Sequence, residues 1–339
     1  MLFPGKERYR LWMVATTTLE GQNVVQQGGS DNTVRPTPPA SILFNRPMEI
    51  IMNFKKLAAA AAVSFCLSGV FCAAQAADPY VRPLPAHPIT AGKMVLGSTQ
   101  PVIAVPLVGE TREAVLKEAE VVKSLNPDLI EVRADYWDFI EDTDKSIAML
   151  KDIKAIMPEV PILLTVRIKA ERGHQDVNTE KKFAFYERAI AEKLPTLIDV
   201  ELAYGPDVIK DFKKKLEGTD IKLVVAYHDL KGTPSSDEIK AIMEREIAAG
   251  GDVAKIVVKP NKEEDVLTFL NGTLSFRRAN PDYPIIASGS GDVGRITRLI
   301  GGLFGIDLTF ASGVKGSNPT QMPVAIVRDA NNVIYPVAK

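Results

Sequence analysis

DVAKIVVKP, residues 252–260, is a short run of Val, Ile and Ala held between Gly-Gly and Pro-Asn, with Lys255 and Lys259 inside it. Apolar residues at consecutive positions, without helical spacing, suit a strand covered on both faces, as strands of a parallel sheet are. A lysine in such a strand is either paired in the core or used for its amine, because an ammonium is almost never buried alone. Both options stay open at this point. Position along the strand favours Lys259, which lies nearer the C-terminal end.

The same pattern recurs on either side. Apolar runs lie at 102–109, 128–135, 161–168, 197–203, 222–230, 284–291 and 307–313, which with 253–260 makes eight. Amphipathic segments separate them at 112–125, 145–157, 180–194, 207–216, 236–250, 262–279 and 293–305, and a last helix is predicted from Thr320 towards Asn332. Thr111, Thr179 and Ser236 stand where helix N-caps are wanted. Gly218, Gly250-Gly251 and Gly305 follow helix ends, where positive φ is favoured. Eight strand–helix units in this order predict an α/β chain folded as a (β/α)8 TIM barrel over residues 100–339. An open doubly wound sheet is the alternative, but no Gly-rich dinucleotide fingerprint follows the first strand.

The N-terminal part is of a different kind. Residues 1–51 are polar and aperiodic, rich in Thr, Asn, Gln and Pro, and read as an overextended start or a disordered segment. Residues 52–76 read as a signal peptide, with Lys55 and Lys56, an apolar stretch to Cys72 and Ala74-Gln75-Ala76 as the cleavage motif; a single membrane anchor is the competing reading. Cleavage would leave 263 residues with 34 basic and 38 acidic side chains, free of membrane, and periplasmic or secreted. Both cysteines, Cys66 and Cys72, lie in the signal, so no disulfide framework or thiol chemistry is expected after it. Residues 77–99, with several prolines, are expected to be an extended leader. The near balance of 41 basic and 42 acidic residues over the whole chain gives no sign of nucleic acid binding.

In a TIM barrel the chemistry sits at the C-terminal ends of the strands. Those ends hold Glu131, Arg133 and Asp135; Arg167; Asp199 and Glu201; His228 and Asp229; and Lys255 and Lys259. Residues two apart share a face, and charges on otherwise apolar strands need each other or a ligand. A structural ion-pair lattice would account for them. So would a site that combines an amine, an imidazole, carboxylates and guanidiniums. Zinc has no ligands here, with no cysteine after the signal and no histidine pair at ligand spacing. A carboxylate magnesium site would sit against two lysines, which oppose it electrostatically, so no metal is expected. Gly289-Ser290-Gly291 with Gly294 offers a loop that could cradle an anion.

The series EVR (131–133), VRIKAERG (166–173), IDVEL (198–202), HDL (228–230), AKIVVKP (254–260), RLIGGLFG (298–305) and SNPTQ (317–321) resembles type I 3-dehydroquinate dehydratase over essentially the whole of 100–338. The resemblance implies a usually dimeric, cofactor-free (β/α)8 lyase that converts 3-dehydroquinate to 3-dehydroshikimate through an imine. It implies that Lys255 forms the Schiff base, that His228 is general acid and base, and that Glu171 orients or balances the histidine. It further implies that Glu131, Arg133 and Arg167 surround the substrate hydroxyls and the lysine. Arg298 would hold the carboxylate, with Ser317 and Gln321 reaching in from a closing loop. It thus selects Lys255 over Lys259.

The chemistry is coherent on independent grounds. An imine is an electron sink that acidifies the neighbouring C–H, and an imidazole with pKa near neutrality can move that proton. An arginine grips a carboxylate through two parallel bonds. Burial beside Arg133 and Arg167 is expected to ease deprotonation of Lys255. Two features depart from the family pattern: Ala287 to Asp292 replaces a Met-rich stretch, and Lys259 stands at an apolar position. Export is a third and would suit growth on quinate oxidised outside the inner membrane. Another imine-forming barrel lyase, such as an aldolase, and a non-catalytic periplasmic binding protein for quinate-like acids are the alternative functions.

Overall fold

A computed structural model describes residues 81–335. The signal and start assigned to residues 1–76 lie outside the described residues. Eight parallel strands form the barrel: β3 (Val102–Leu107), β4 (Leu129–Arg133), β5 (Ile162–Thr165), β6 (Leu197–Glu201), β7 (Lys222–His228), β8 (Val253–Val258), β9 (Ile285–Gly289) and β10 (Leu308–Ser312). Each pairs with its sequence neighbour, β10 pairs with β3, and a Leu308–Ile286 pairing closes the ring. The (β/α)8 TIM barrel is therefore the fold. The strands are buried over almost their whole length, which is why they read as unbroken apolar runs.

Helices α1 (Arg112–Ser124), α2 (Thr143–Ile156), α3 (Thr179–Ala191), α4 (Pro206–Lys214), α5 (Ser236–Ala248) and α6 (Glu263–Ala279) follow their strands in turn. Thr111 caps α1 by accepting from the Ala114 N–H. The other two caps fall one residue earlier than expected: Asn178 caps α3 and Ser235 caps α5. Ser235 has Glu238 three residues on, and the two complete a reciprocal capping box that Ser236 could not form.

Three segments differ from expectation. Residues 89–96 are not an extended leader but a hairpin of β1 (Ile89–Ala91) and β2 (Met94–Leu96), turned at Gly92 with φ +55°. Met94 and Leu96 alternate onto one face and pack with Val102, Leu129, Leu163, Leu197 and Val253 at the N-terminal ends of the strands. Arg82 anchors the segment through Asp307 at 2.9 Å. The stretch 293–305 is not one helix but α7 (Gly291–Gly294), α8 (Thr297–Ile300) and a 3-10 turn, Gly301–Phe304. The paired glycines permit close packing there, since a Cβ on Gly302 would meet Pro101 and Tyr335 at 2.7 Å. The last helix, α9 (Val324–Ile334), starts after Thr320, whose N–H and hydroxyl both bond the Asn318 side chain in a turn.

On α5, Glu246 is fully buried, and neither carboxylate oxygen has a hydrogen-bond partner in normal geometry. Burial drives its pKa well above 4.5, opposed by the Lys255 backbone N–H and reinforced by the Glu171 and Asp199 charges. The folded protein thus keeps a proton that the unfolded chain releases above about 4.5, so this group lowers stability as pH rises from there through its folded pKa. Glu246→Leu is expected to stabilise the protein by about 1–3 kcal/mol near neutral pH. Urea unfolding at pH 5 and pH 8 checks this, and the gain must be larger at pH 8.

Candidate active site

The interior of β8 carries the amine. Lys255 sits level with Ala226 of β7 and Ile286 of β9, its side chain inside the barrel and 2% exposed. Its Nζ lies 2.6 Å from Asp199 Oδ2, 3.2 Å from Glu131 Oε1 and 5.1 Å above the Phe310 ring. Of the residues expected around it, Glu131 contacts the amine directly, Arg167 meets it across a shared Asp199 oxygen, and Arg133 pairs with Asp135 instead. Lys259 follows the end of β8, half-buried, and does not line the cavity into which Lys255 opens.

Arg167, just beyond β5, donates from Nη2 to Asp199 Oδ2 at 2.7 Å and from Nη1 to Glu201 Oε1 at 3.0 Å. Burial works against its charge, but Asp199, Glu201 and Glu171 outweigh that cost and raise its pKa. Lys255 and Arg167 therefore share one oxygen of Asp199, whose pKa is held down against burial by Arg167 and then Lys255. Arg133 forms two 2.8 Å bonds with Asp135 at the end of β4.

His228 ends β7. Its Nδ1 lies 2.7 Å from Glu171 Oε2, a contact built by the turn Lys169–Glu171 after β5. Gly173 lets that turn close, because a Cβ there would come within 2.0 Å of the Arg167 carbonyl. Burial, then the cationic Arg167, Lys255 and Arg133, push His228 well below 6.5. Burial pushes Glu171 up to about 8, against the pull of Arg167. Each group disfavours charge, and the pair shares a proton across a short bond.

Arg298, on α8, is different from the other cations. It is 4% exposed, its Nε and Nη1 have no partner, and burial with the nearby Arg295 lowers its pKa to about 10. A desolvated guanidinium with free donors can grip an anion. Across the cavity, Gln321 donates to Ser317 Oγ at 3.1 Å and keeps its own Oε1 buried and unpartnered.

One cavity is lined by all nine residues to which the resemblance gives a role: Glu131, Arg133, Arg167, Glu171, His228, Lys255, Arg298, Ser317 and Gln321. Ser288, from the stretch that departs from the family pattern, lines it too, whereas Ser290 turns its hydroxyl to the Val258 carbonyl at 3.0 Å. The glycines of that stretch serve close packing, since a Cβ on Gly289 would lie 2.9 Å from Gly294 Cα. Asp199, named among the charges at the strand ends but given no role there, is the nearest partner of the amine. Its signal was an acid two residues before Glu201 on an apolar strand. Arg172 also lines the cavity, with φ +63°, and carried no sequence signal.

A family model described as type I 3-dehydroquinase matches residues 103–337. The 3-dehydroquinate dehydratase of Geobacillus thermodenitrificans is 35% identical over 73% of this chain and 95% of its own length. That of Geobacillus kaustophilus is 38% identical over 70% of this chain and 93% of its own. The crystal structure of the Geobacillus kaustophilus enzyme superposes with a TM-score of 0.72 at 36% identity, covering 75% of this chain and 99% of that one.

Proposed function

The chain belongs to the type I 3-dehydroquinase family and is a 3-dehydroquinate dehydratase, and from that premise we propose that it dehydrates its substrate through an imine on Lys255. What supports this most is the contrast among the buried cations. Lys255, Arg133 and Arg167 have carboxylate partners, whereas Arg298 keeps free donors in the same cavity. The substrate carboxylate fits Arg298, which leaves the ring to lie between Lys255 and His228.

The neutral amine of Lys255 attacks the ketone carbon, and the carbinolamine loses water to give the imine. His228 Nε2 takes a proton from C2, and the electron pair moves into the imine to form an enamine. The enamine expels the C1 hydroxyl, which His228 protonates as it leaves. Water then hydrolyses the conjugated imine, returning Lys255 and releasing the enone. One water is lost overall. Glu131 and Asp199 hold the amine in place, and Ser317 and Gln321 contact the hydroxyls from above. An assay of 3-dehydroquinate for the appearance of enone absorbance tests the activity, and no rise with folded protein would refute it.

The role of Glu171 sets a pH dependence. When ionised it accepts from His228 Nδ1, leaving Nε2 as a base towards the cavity. When protonated it donates to Nδ1, and Nε2 then carries the hydrogen and cannot act as base. With Glu171 pushed up to about 8, kcat/KM should rise as pH increases through that value. Glu171→Gln should abolish that limb. A profile that is flat from pH 6.5 to 9 in the unaltered enzyme would contradict the assignment.

We also propose that the enzyme is exported and serves quinate breakdown outside the inner membrane, on the strength of residues 52–76. Cell fractionation with N-terminal sequencing tests this, expecting mature protein that begins at Ala77.

A further inference from the structure

Lys182 is a buried amine that no step of the reaction uses. It lies on α3, one turn before Tyr186, so both side chains face the ends of β5 and β6 from outside the barrel. Its side chain is 1% exposed, and its ammonium forms a 2.5 Å ion pair with Glu201 Oε2. The Tyr204 ring lies 4.8 Å from the ammonium and the Tyr186 ring 5.6 Å. Tyr186 fixes the helix against the site, its hydroxyl accepting from the Val166 N–H at 2.7 Å and donating to the Asp199 carbonyl at 3.0 Å. An apolar residue would fill this space without the desolvation cost of a second buried ammonium, so packing alone does not account for a lysine.

From Lys182 a line of alternating charges runs to the reacting amine. Glu201 gives one oxygen to Lys182 and the other to Arg167 Nη1, at 3.0 Å, and to the Ile168 N–H, at 2.9 Å. Arg167 Nη2 holds Asp199 Oδ2 at 2.7 Å, and Lys255 Nζ approaches that same oxygen at 2.6 Å. Asp199 Oδ1 has no partner, so Arg167 and Lys255 compete for a single acceptor. Whatever draws Arg167 towards Glu201 loosens it from Asp199, and leaves that carboxylate to hold the Lys255 ammonium more tightly.

We propose that Lys182 is a positioning residue that governs how readily Lys255 gives up its proton, by neutralising Glu201 so that Arg167 remains on Asp199. The proposal rests on the imine assignment above. The groups facing Lys255 are Asp199 from β6, Glu131 from β4, His228 from β7, Arg167 and Glu171 from beyond β5, and the Phe310 ring from β10. Those facing Lys182 are Glu201, Tyr186 and Tyr204, with Asp199 and Glu171 feeling its charge from farther away. Removing the Lys182 charge makes the surroundings of Lys255 more negative both directly and through Arg167. Removing the Glu201 charge does the reverse by both routes.

The test is the pH dependence of imine formation. 3-Dehydroquinate is mixed with enzyme across pH 5–10, the imine is reduced with borohydride, and the Lys255 adduct is quantified by mass spectrometry. Lys182→Met should move the midpoint to higher pH by about one unit, and Glu201→Gln should move it to lower pH by a comparable amount. Lys182→Arg should keep the midpoint of the unaltered enzyme. Merely structural damage lowers adduct yield at every pH and cannot shift the two variants in opposite directions. Midpoints that stay put, or that move the same way, overturn the proposal. If Lys182→Met does not fold, Glu201→Gln decides alone: an acid shift supports the proposal, and no shift or an alkaline one refutes it. Absence of any adduct in the unaltered enzyme would refute the imine assignment itself and this proposal with it.

Discussion

Lys255→Ala should lower kcat by about four orders of magnitude or more, because the imine turns an unfavourable proton abstraction into an intramolecular step with an electron sink. Borohydride with substrate should then leave no adduct at position 255. The variant must first be shown to fold, since removing one member of a buried charge cluster is costly. Asp199 and Glu131 would lose a partner each, although Asp199 keeps Arg167. Lys255→Met fills more of the space and serves as the companion variant. Lys259→Ala is the internal control: its amine lies outside the cavity, so affinity alone should change. If Lys259→Ala is the inactive variant and Lys255→Ala turns over, the strand has been assigned the wrong nucleophile.

His228→Ala should lower kcat by about 10²–10⁴, the usual contribution of a positioned acid–base group. The informative part is what survives. Attack by Lys255 does not need the C2 proton to move, so substrate should still be trapped on the lysine by borohydride. An inactive enzyme with an intact adduct separates proton transfer from imine formation, and activity within tenfold of normal would remove His228 from the mechanism. The structural cost should be small, because the ring makes one strong contact, to Glu171. That partner lies 57 residues away in the chain, so the pairing arises only from the tertiary fold.

The barrel was largely legible because local patterning carries it. Each strand is buried on both faces and each helix on one, so burial alone imprints eight short apolar runs separated by amphipathic segments. Where local cues were ambiguous, the expectation slipped. Ser235 and Ser236 are adjacent, and only the reach of Glu238 distinguishes the true cap. The prolines of residues 77–99 suggest an extended leader, yet Met94 and Leu96 find a hydrophobic surface at the foot of the barrel that no nearby residue announces. The stretch 293–305 has helical spacing, but its glycines answer to neighbours elsewhere in the fold, Gly302 to Pro101 and Tyr335 and Gly305 to Arg277.

The sequence by itself determined which residues would lie at the mouth of the barrel, because strand ends and side-chain alternation are properties of short segments. It could not say which charge would pair with which. Lys255 reaches a carboxylate 56 residues away on β6 and another 124 residues away on β4. Lys182 reaches Glu201 from a helix outside the barrel. Those contacts exist only once the ring has closed, and there the cost of burying each charge is offset by a partner distant in the chain. Closure is what set Asp199 and Glu131 against the amine, with Arg167 on the same Asp199 oxygen, and what left Arg298 with its donors free.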